Sequence, residues 1–407
     1  MNDLNTNTNS QNYDYIIIGG GIIGLTTAFE LLNRNKNFKI LLIEKESAIA
    51  EHSSGRNSGV LHAGFYYTAD SLKARFCREG NLAMQRFCKD NNLPVNQCGK
   101  LVVAKDEEEL LGLEELKRRA DKNGVELIWK TPEEARTIDP NVTVFKKALW
   151  SPSTATVDPV QVCKKILERI KDLGAVVLFN TRFTSRTAEG ITTTNGSFKA
   201  KYVINCAGLY ADLIAKRFGF SKSRVILPFK GIYLKSSNNA VVSTNVYPVP
   251  NLANPFLGVH FTVTVDGQVK IGPTAIPAFW RENYEGISRF SVTEFLSIAF
   301  WQTKLLLTNA FNFRKLAWTE IRKYYRPHFL ALGSYMINNF KASNFTKKVR
   351  PGIRAQLLDT TTLKLVQDFE MEGDAKSLHV LNAVSPAFTC SFPLAKHIVD
   401  EVFKLQK

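Results

Sequence analysis

The chain has 407 residues, 44% of them hydrophobic and 22% charged, with a formal net charge of +16 at pH 7. That length buries a large core and predicts two structural units, and the positive balance calls for an anionic partner: a substrate, a membrane surface or nucleic acid. Six scattered cysteines, with no CxxC pair and no clustered His, argue against a metal site and predict reduced thiols in a cytosol-like compartment.

In chain order, the opening MNDLNTNTNSQN (residues 1–12) is polar, with neither the basic nor the apolar part of a targeting signal, and reads as a disordered tail. Tyr15-Ile16-Ile17-Ile18 predicts a short buried strand. It runs into Gly19-Gly20-Gly21-Ile22-Ile23-Gly24, a GxGxxG, after which Leu25, Ala28, Phe29, Leu31 and Leu32 recur at helical spacing. A second apolar run, Ile40–Ile43, ends at Glu44. Strand, turn, helix, strand and acid in this register predict dinucleotide binding. Gly19 allows the tight turn, Gly21 lets backbone approach a pyrophosphate at the helix N-terminus, and Gly24 allows close helix–strand packing. Glu44 can accept from a ribose hydroxyl, which favours FAD or NAD over NADP.

Next comes SSGRNSGVLHAGFYY (53–67), small residues followed by His62, Tyr66 and Tyr67. Helices are predicted over 70–92 and over 106–123, the latter stopped by Gly124, with a strand over Gly99 to Ala104 between them. ALWSPSTATVDPVQVCKKILERI gives a strand, a loop and a helix capped near Asp158. AKYVINCAGLYAD predicts a late strand ending at Ala207-Gly208; in two-part FAD-binding domains such a strand returns backbone to the cofactor, so FAD is preferred over NAD. From Pro228 to about Gly272 short alternating runs predict antiparallel sheet with an Asp266-Gly267 hairpin turn, and His260 lies in one of them. Residues 287–345 read as mostly helical, and the chain then returns to strands and a final helix. The stretch from Arg289 to Arg350 carries eleven Lys/Arg, among them Arg314, Lys315, Arg322 and Lys323, against two acids, interleaved with thirteen aromatics. That pattern fits either an interfacial segment on an anionic membrane or a helical lid with its charges in water.

With these pieces placed, the chain resembles the FAD-dependent L-2-hydroxyglutarate oxidase/dehydrogenase family, a branch of the D-amino-acid-oxidase-like flavoproteins. IIIGGGIIGL, NSGVLHAGFYY, SLKARFC, PFKG, VYPVPN with PFLGVHFT, GIRAQ and NAVSPAFTCSF carry the resemblance. It departs at Lys230, where the family usually has Arg, and at Arg56, where the family tends to carry His. The resemblance implies an α/β fold, a two-part Rossmann-like FAD-binding domain (13–93, 150–225 and 346–407) interleaved with an α+β substrate domain on an antiparallel sheet (94–149 and 226–345).

It also implies non-covalent FAD held by Gly19, Gly21, Ile23, Gly24, Glu44, Lys45, Ser53, Ser54, Asn57, Ser58, Gly59, Phe183, Ala207, Gly208 and Gly352. A helix N-terminus near Ser385–Thr389 would bring Ser385, Ala387, Phe388 and Thr389 to the same cofactor, with Cys390 a buried small residue rather than a flavin link. His62 or His260 would take the hydroxyl proton, an imidazole being suited to that task near neutral pH. Arg354 and Lys230 would anchor the carboxylates of a small dicarboxylic hydroxy acid, with Tyr66, Tyr67 and Tyr247 as phenol donors. The expected activity is oxidation of L-2-hydroxyglutarate to 2-oxoglutarate, with electrons passed to a quinone or oxygen. An amine or amino-acid oxidase of the same fold is the alternative. Nucleic-acid binding by a non-enzyme is remote, because no recognised motif accompanies the charge. The expected location is cytoplasmic, the alternative being a peripheral site on the inner face of the membrane.

Overall fold

A computed structural model describes residues 12–250 and 256–407, so the predicted tail, except Asn12, lies outside the described residues. Two compact units emerge. The first holds the chain to Gly55, Pro159–Ile226 and Ala355–Lys407; the second holds Arg56–Asp158 and Leu227–Arg354.

The first unit is built on a parallel sheet. Asn12–Ile18 pairs on one side with Ile40–Ile43, which pairs with Val176–Leu178, and on the other with Gly196–Asn205, which pairs with Ser377–Asn382. The central runs Tyr15–Ile18 and Ile40–Ile43 are continuously apolar because both of their faces are covered. The helix Ile22–Arg34 follows the first strand directly, buries Leu25, Ala28, Leu31 and Leu32, and packs against the helices Pro159–Asp172 and Ser391–Leu405. The last of these is the final helix expected from the sequence, but it starts at Ser391, beyond Ser385–Thr389. Those residues form turns instead: Ala387 N–H donates to Val384 O and Cys390 N–H to Pro386 O.

The second unit holds a mixed eight-stranded sheet in the order Phe345–Lys348, Leu234–Ser236, Val269–Gly272, His260–Val263, Asn245–Pro248, Lys100–Val103, Ala148–Ser151, Ile128–Lys130. It is antiparallel, as expected, apart from Asn245–Pro248, which runs parallel to Lys100–Val103. The Asp266-Gly267 turn joins its strands as expected, Gly267 taking φ +76°. Alternation splits the strand side chains between two cores. Leu101, Val103, Val246, Phe261 and Ile271 pack on one face with Phe329 and Phe345, while Val102, Leu149 and Tyr247 pack on the other with Phe65, Leu113 and Leu116.

The domain boundaries differ from those expected. Residues 56–93, 150–158 and 346–354 fall in the second unit. The reason is pairing: Val60–Leu61 and Val95–Asn96 both hydrogen-bond to Ala155–Val157, and Asn81, on the helix Leu72–Asp90, donates to Leu61 O and Ser153 O. The helix Glu107–Asn123 ends, as predicted, at Gly124, in the left-handed conformation. The predicted helical stretch is three helices, Val292–Thr308, Phe313–Ile321 and Arg326–Ser334. No helix among the described residues is long and apolar enough to cross a membrane, and all six cysteines are free.

Candidate active site

The dinucleotide turn of the first unit is tightly determined. Gly19 has φ +114°, and a Cβ there would meet Cys206 O at 2.6 Å; a Cβ on Gly24 would meet Gly19 O at 2.0 Å. Gly21 differs: its backbone is extended (φ −77°, ψ 174°), and an added Cβ would approach only the Ser54 hydroxyl, at 3.1 Å. Gly21 therefore leaves open space beside the start of the helix, where no first-turn acid competes for an anion. Ser54 Oγ accepts from Ile22 N–H at 2.9 Å, so the 53–55 loop folds back onto this turn. Glu44 is buried and accepts from Gly20 N–H (2.7 Å) and Glu46 N–H (2.9 Å); burial pushes its carboxyl above the usual range, the two donors opposing. Ala207 and Gly208 follow the strand Gly196–Asn205, and Gly208 takes φ +53° with nothing within 4 Å of an added Cβ.

Other residues named from the sequence have structural partners. Lys45 pairs with Glu46 and lies over the Tyr210 ring; Ile23 is buried in the helix; Phe183 stacks on Phe218. Asn57, Ser58, Gly59 and Gly352 belong to the second unit. There Asn57 Oδ1 accepts from Gly59 N–H, and Gly352 is pressed against Arg56 O, 2.4 Å from an added Cβ. Arg56 itself lies over the Tyr284 ring, 4.1 Å from its centroid, and Cys390 is fully buried.

The second unit gathers the proposed chemistry on one sheet face. Asn245–Pro248 lies between the strands of Lys100 and His260, and parity points Lys100, Tyr247 and His260 the same way. His260 stacks on Tyr247 with ring centroids 3.6 Å apart, and its Nδ1 lies 2.7 Å from Gly258 O. A carbonyl only accepts, so Nδ1 carries the proton and Nε2 keeps its lone pair. Burial, reinforced by the charges of Lys100 and Arg354, pushes the His260 imidazole down to about 3. His62 follows the short strand Val60–Leu61 and is buried against the same cluster, Nδ1 3.4 Å from Lys100 Nζ. Burial and the neighbouring Lys100 hold it neutral, well below the ordinary histidine value.

Tyr66 and Tyr247 complete the cluster, and burial raises both phenols. Tyr67 is half-buried beside them. Lys230 and Arg354 are tied together through Thr274: Thr274 Oγ1 donates to Lys230 O (2.8 Å) and Arg354 Nη1 donates to Thr274 O (2.9 Å). Burial lowers both cations from their ordinary values. Sequence reasoning does not single out Lys100. Its only signal there is a lysine opening the otherwise apolar run KLVVA.

A family model for FAD-dependent oxidoreductases matches residues 14–399, and the chain belongs to this family: it is an FAD-dependent oxidoreductase. Its curated relatives include L-2-hydroxyglutarate dehydrogenase of Salmonella houtenae, 35% identical over 97% of this chain and 94% of that protein, and the mitochondrial L-2-hydroxyglutarate dehydrogenase of Caenorhabditis elegans, 37% identical over the same shares. Among solved structures, L-alpha-glycerophosphate oxidase from Mycoplasma pneumoniae with FAD bound superposes with a TM-score of 0.74 at 23% identity, covering 97% of this chain and 95% of that one. Glycine oxidase from Geobacillus kaustophilus gives 0.70 at 17%, with the same coverage. These two establish the fold alone.

Proposed function

We propose that this flavoprotein oxidises L-2-hydroxyglutarate to 2-oxoglutarate. The observation that carries the reading is the gathering, within one unit, of buried neutral imidazoles with two cations, the buried Lys230 and the half-buried Arg354, whose guanidinium donates to Thr274 O and whose charge acts on His260. A hydroxy dicarboxylate needs both: a proton acceptor for its hydroxyl and cationic anchors for its carboxylates. Gly19, Gly21, Gly24, Glu44 and Ala207-Gly208 would hold FAD, and the space beside Gly21 fits a pyrophosphate. When bound, FAD supplies the acceptor for the hydride that leaves the carbinol carbon. His62 takes the hydroxyl proton. His260, whose Nδ1 is committed to a carbonyl that cannot pick up a proton, orients the hydroxyl by accepting at Nε2.

Anaerobic titration tests this directly. L-2-hydroxyglutarate should bleach the yellow enzyme, whereas glycine, sarcosine and the D-enantiomer should leave it yellow; bleaching by amino acids alone would overturn the reading. Arg354→Met should raise KM for the acid at least about tenfold, the cost of losing one charge-assisted contact. Lys230→Arg should keep or improve the reaction, because the guanidinium fork suits a carboxylate better than an ammonium. Unchanged kinetics in Arg354→Met would remove that residue from the substrate site.

The electrons go on to a membrane quinone, and the enzyme meets the bilayer through its helical insertion. The support is a concentration of exposed apolar side chains there, with Ile287 85% exposed, Leu307 73%, Tyr325 68% and Trp318 65%. Exposed Lys315 and Arg322 lie among them, so cations for anionic head groups alternate with rings for the acyl boundary. Lys323 is not one of these cations. It is buried in a short ion pair with Glu320, whose carboxylate also accepts from Ala275 N–H. The enzyme should sediment with phosphatidylglycerol-containing vesicles at low salt and be released as salt screens the attraction. Lys315→Glu with Arg322→Glu should abolish sedimentation and leave flavin content intact. Equal partition onto neutral vesicles, or onto none, would leave only a helical lid.

A further inference from the structure

Lys100 is 0% exposed, yet it forms no ion pair among the described residues. Its Nζ instead lies 3.4 Å from His62 Nδ1, 4.2 Å from the centroid of the Tyr247 ring, 5.1 Å from that of Tyr66 and 5.5 Å from that of Phe65. A purely structural lysine rarely occupies such a place, since burying an unpaired ammonium costs several kcal/mol while a leucine fills the same space freely. The aromatic faces offset part of that cost. The arrangement thus makes both the charged and the uncharged amine accessible, beside a histidine nitrogen that can donate or accept.

We propose that Lys100 is a positioning residue that receives, through His62, the proton released by the substrate hydroxyl. The inference rests on the reading of His62 as the base. At rest the neutral amine accepts from His62 Nδ1–H, which puts the basic lone pair of the ring on Nε2. As the alcohol O–H bond breaks, its proton goes to Nε2, the Nδ1 proton moves to Lys100 Nζ, and the C–O bond becomes a carbonyl. The two electrons leave with the hydride to the oxidant that FAD supplies. The imidazole ends neutral in its other tautomer, Nε2–H, with the ammonium now donating to Nδ1 and held over the aromatic rings. No imidazolium has to persist in a site that disfavours it. His260 lacks such an outlet because its Nδ1 faces a carbonyl.

The charges and burial around Lys100 bear on the same geometry. The groups facing Lys100 are His62, His260, the thiols of Cys77 and Cys98, and the phenols of Tyr66 and Tyr247; His260 also faces His62, and Arg354 and Lys323 act on His260. Burial pushes the Lys100 ammonium down to about 7. Below that pH the ammonium donates to Nδ1 and Nε2 carries hydrogen, so the base is blocked. Above it the amine accepts and Nε2 carries no hydrogen.

Two measurements on the FAD-loaded enzyme test the relay. Nitrogen-15 NMR of labelled histidines, with the His62 signals identified by their loss in His62→Gln, should show His62 switching from Nε2–H to Nδ1–H as pH rises through about 7, and no switch in Lys100→Met. This readout needs no substrate, so it stands even if L-2-hydroxyglutarate fails to bleach the flavin. In the reductive half-reaction, with whichever hydroxy acid bleaches the flavin, the rate should rise with pH through the same range. Lys100→Met should be about 10- to 100-fold slower with that limb gone. Lys100→Arg should be equally slow, because a guanidinium keeps the charge but accepts no proton. A single His62 tautomer across the range, or a wild-type rate in Lys100→Arg, overturns the proposal; if the Arg variant fails to fold, a retained limb in Lys100→Met does so.

Discussion

Gly21→Leu should yield a folded, colourless protein, whereas Gly24→Ala should yield little folded protein at all. The two glycines occupy one motif but answer to different constraints. At Gly24 even a methyl group would sit 2.0 Å from Gly19 O, a backbone atom fixed by the turn and by the hydrogen bond from Gly19 N–H to Ile43 O. The helix would have to lift off the strand that it buries, a backbone clash of the kind that accounts for the large losses among single substitutions, about 4 kcal/mol or more. At Gly21 the backbone is already in a region open to any residue, and only a serine hydroxyl stands near. A leucine there is tolerated by the fold and fills the space beside the helix N-terminus that a pyrophosphate needs. The check is the ratio of visible to ultraviolet absorbance beside a thermal melt. Full flavin in Gly21→Leu would mean that the phosphates lie elsewhere.

His62→Ala should lower kcat by about 10² to 10⁴, the usual worth of a general base, with FAD content close to normal. His260→Ala should act mainly on KM and on substrate orientation, since its ring is stacked on Tyr247 and already hydrogen-bonded to Gly258 O. Stopped-flow reduction separates the two effects: the limiting rate reports the base, and the concentration dependence reports the positioning. A parental limiting rate in His62→Ala removes it as the base. A larger fall in that rate for His260→Ala than for His62→Ala would reverse their assignments.

Much of this can be read from the chain because the informative patterns are local. The apolar run Tyr15–Ile18, GxGxxG, the apolar helix face and Glu44 follow one another in a single unit of strand, helix and strand, so periodicity and spacing suffice. The Asp266-Gly267 turn and the Gly124 stop are equally local. What the sequence hides depends on partners distant along the chain. Residues 56–93 join the second unit through pairing with Ala155–Val157, which no spacing within 56–93 announces. The last helix starts later than its sequence suggests because the turns around Pro386 delay it to Ser391. Lys323 reads as a surface cation until its buried partner Glu320 is known. Lys100 is the sharpest case: a lysine at the head of an apolar strand reads as an edge residue. Only the register with Asn245–Pro248, and a short strand some forty residues earlier, turns it toward Tyr247 and His62.

The order in which strands enter the first unit's sheet has a consequence for biosynthesis. Ser377–Asn382 completes the sheet beside Gly196–Asn205, and the helix Ser391–Leu405 covers the first helix. On the ribosome the dinucleotide turn therefore emerges hundreds of residues before the elements that bury it. Its apolar strands must wait, partly uncovered, while the whole second unit is synthesised. Nascent chains of this protein are expected to depend on chaperones through most of translation, and to become protease-resistant only after the final helix clears the exit tunnel.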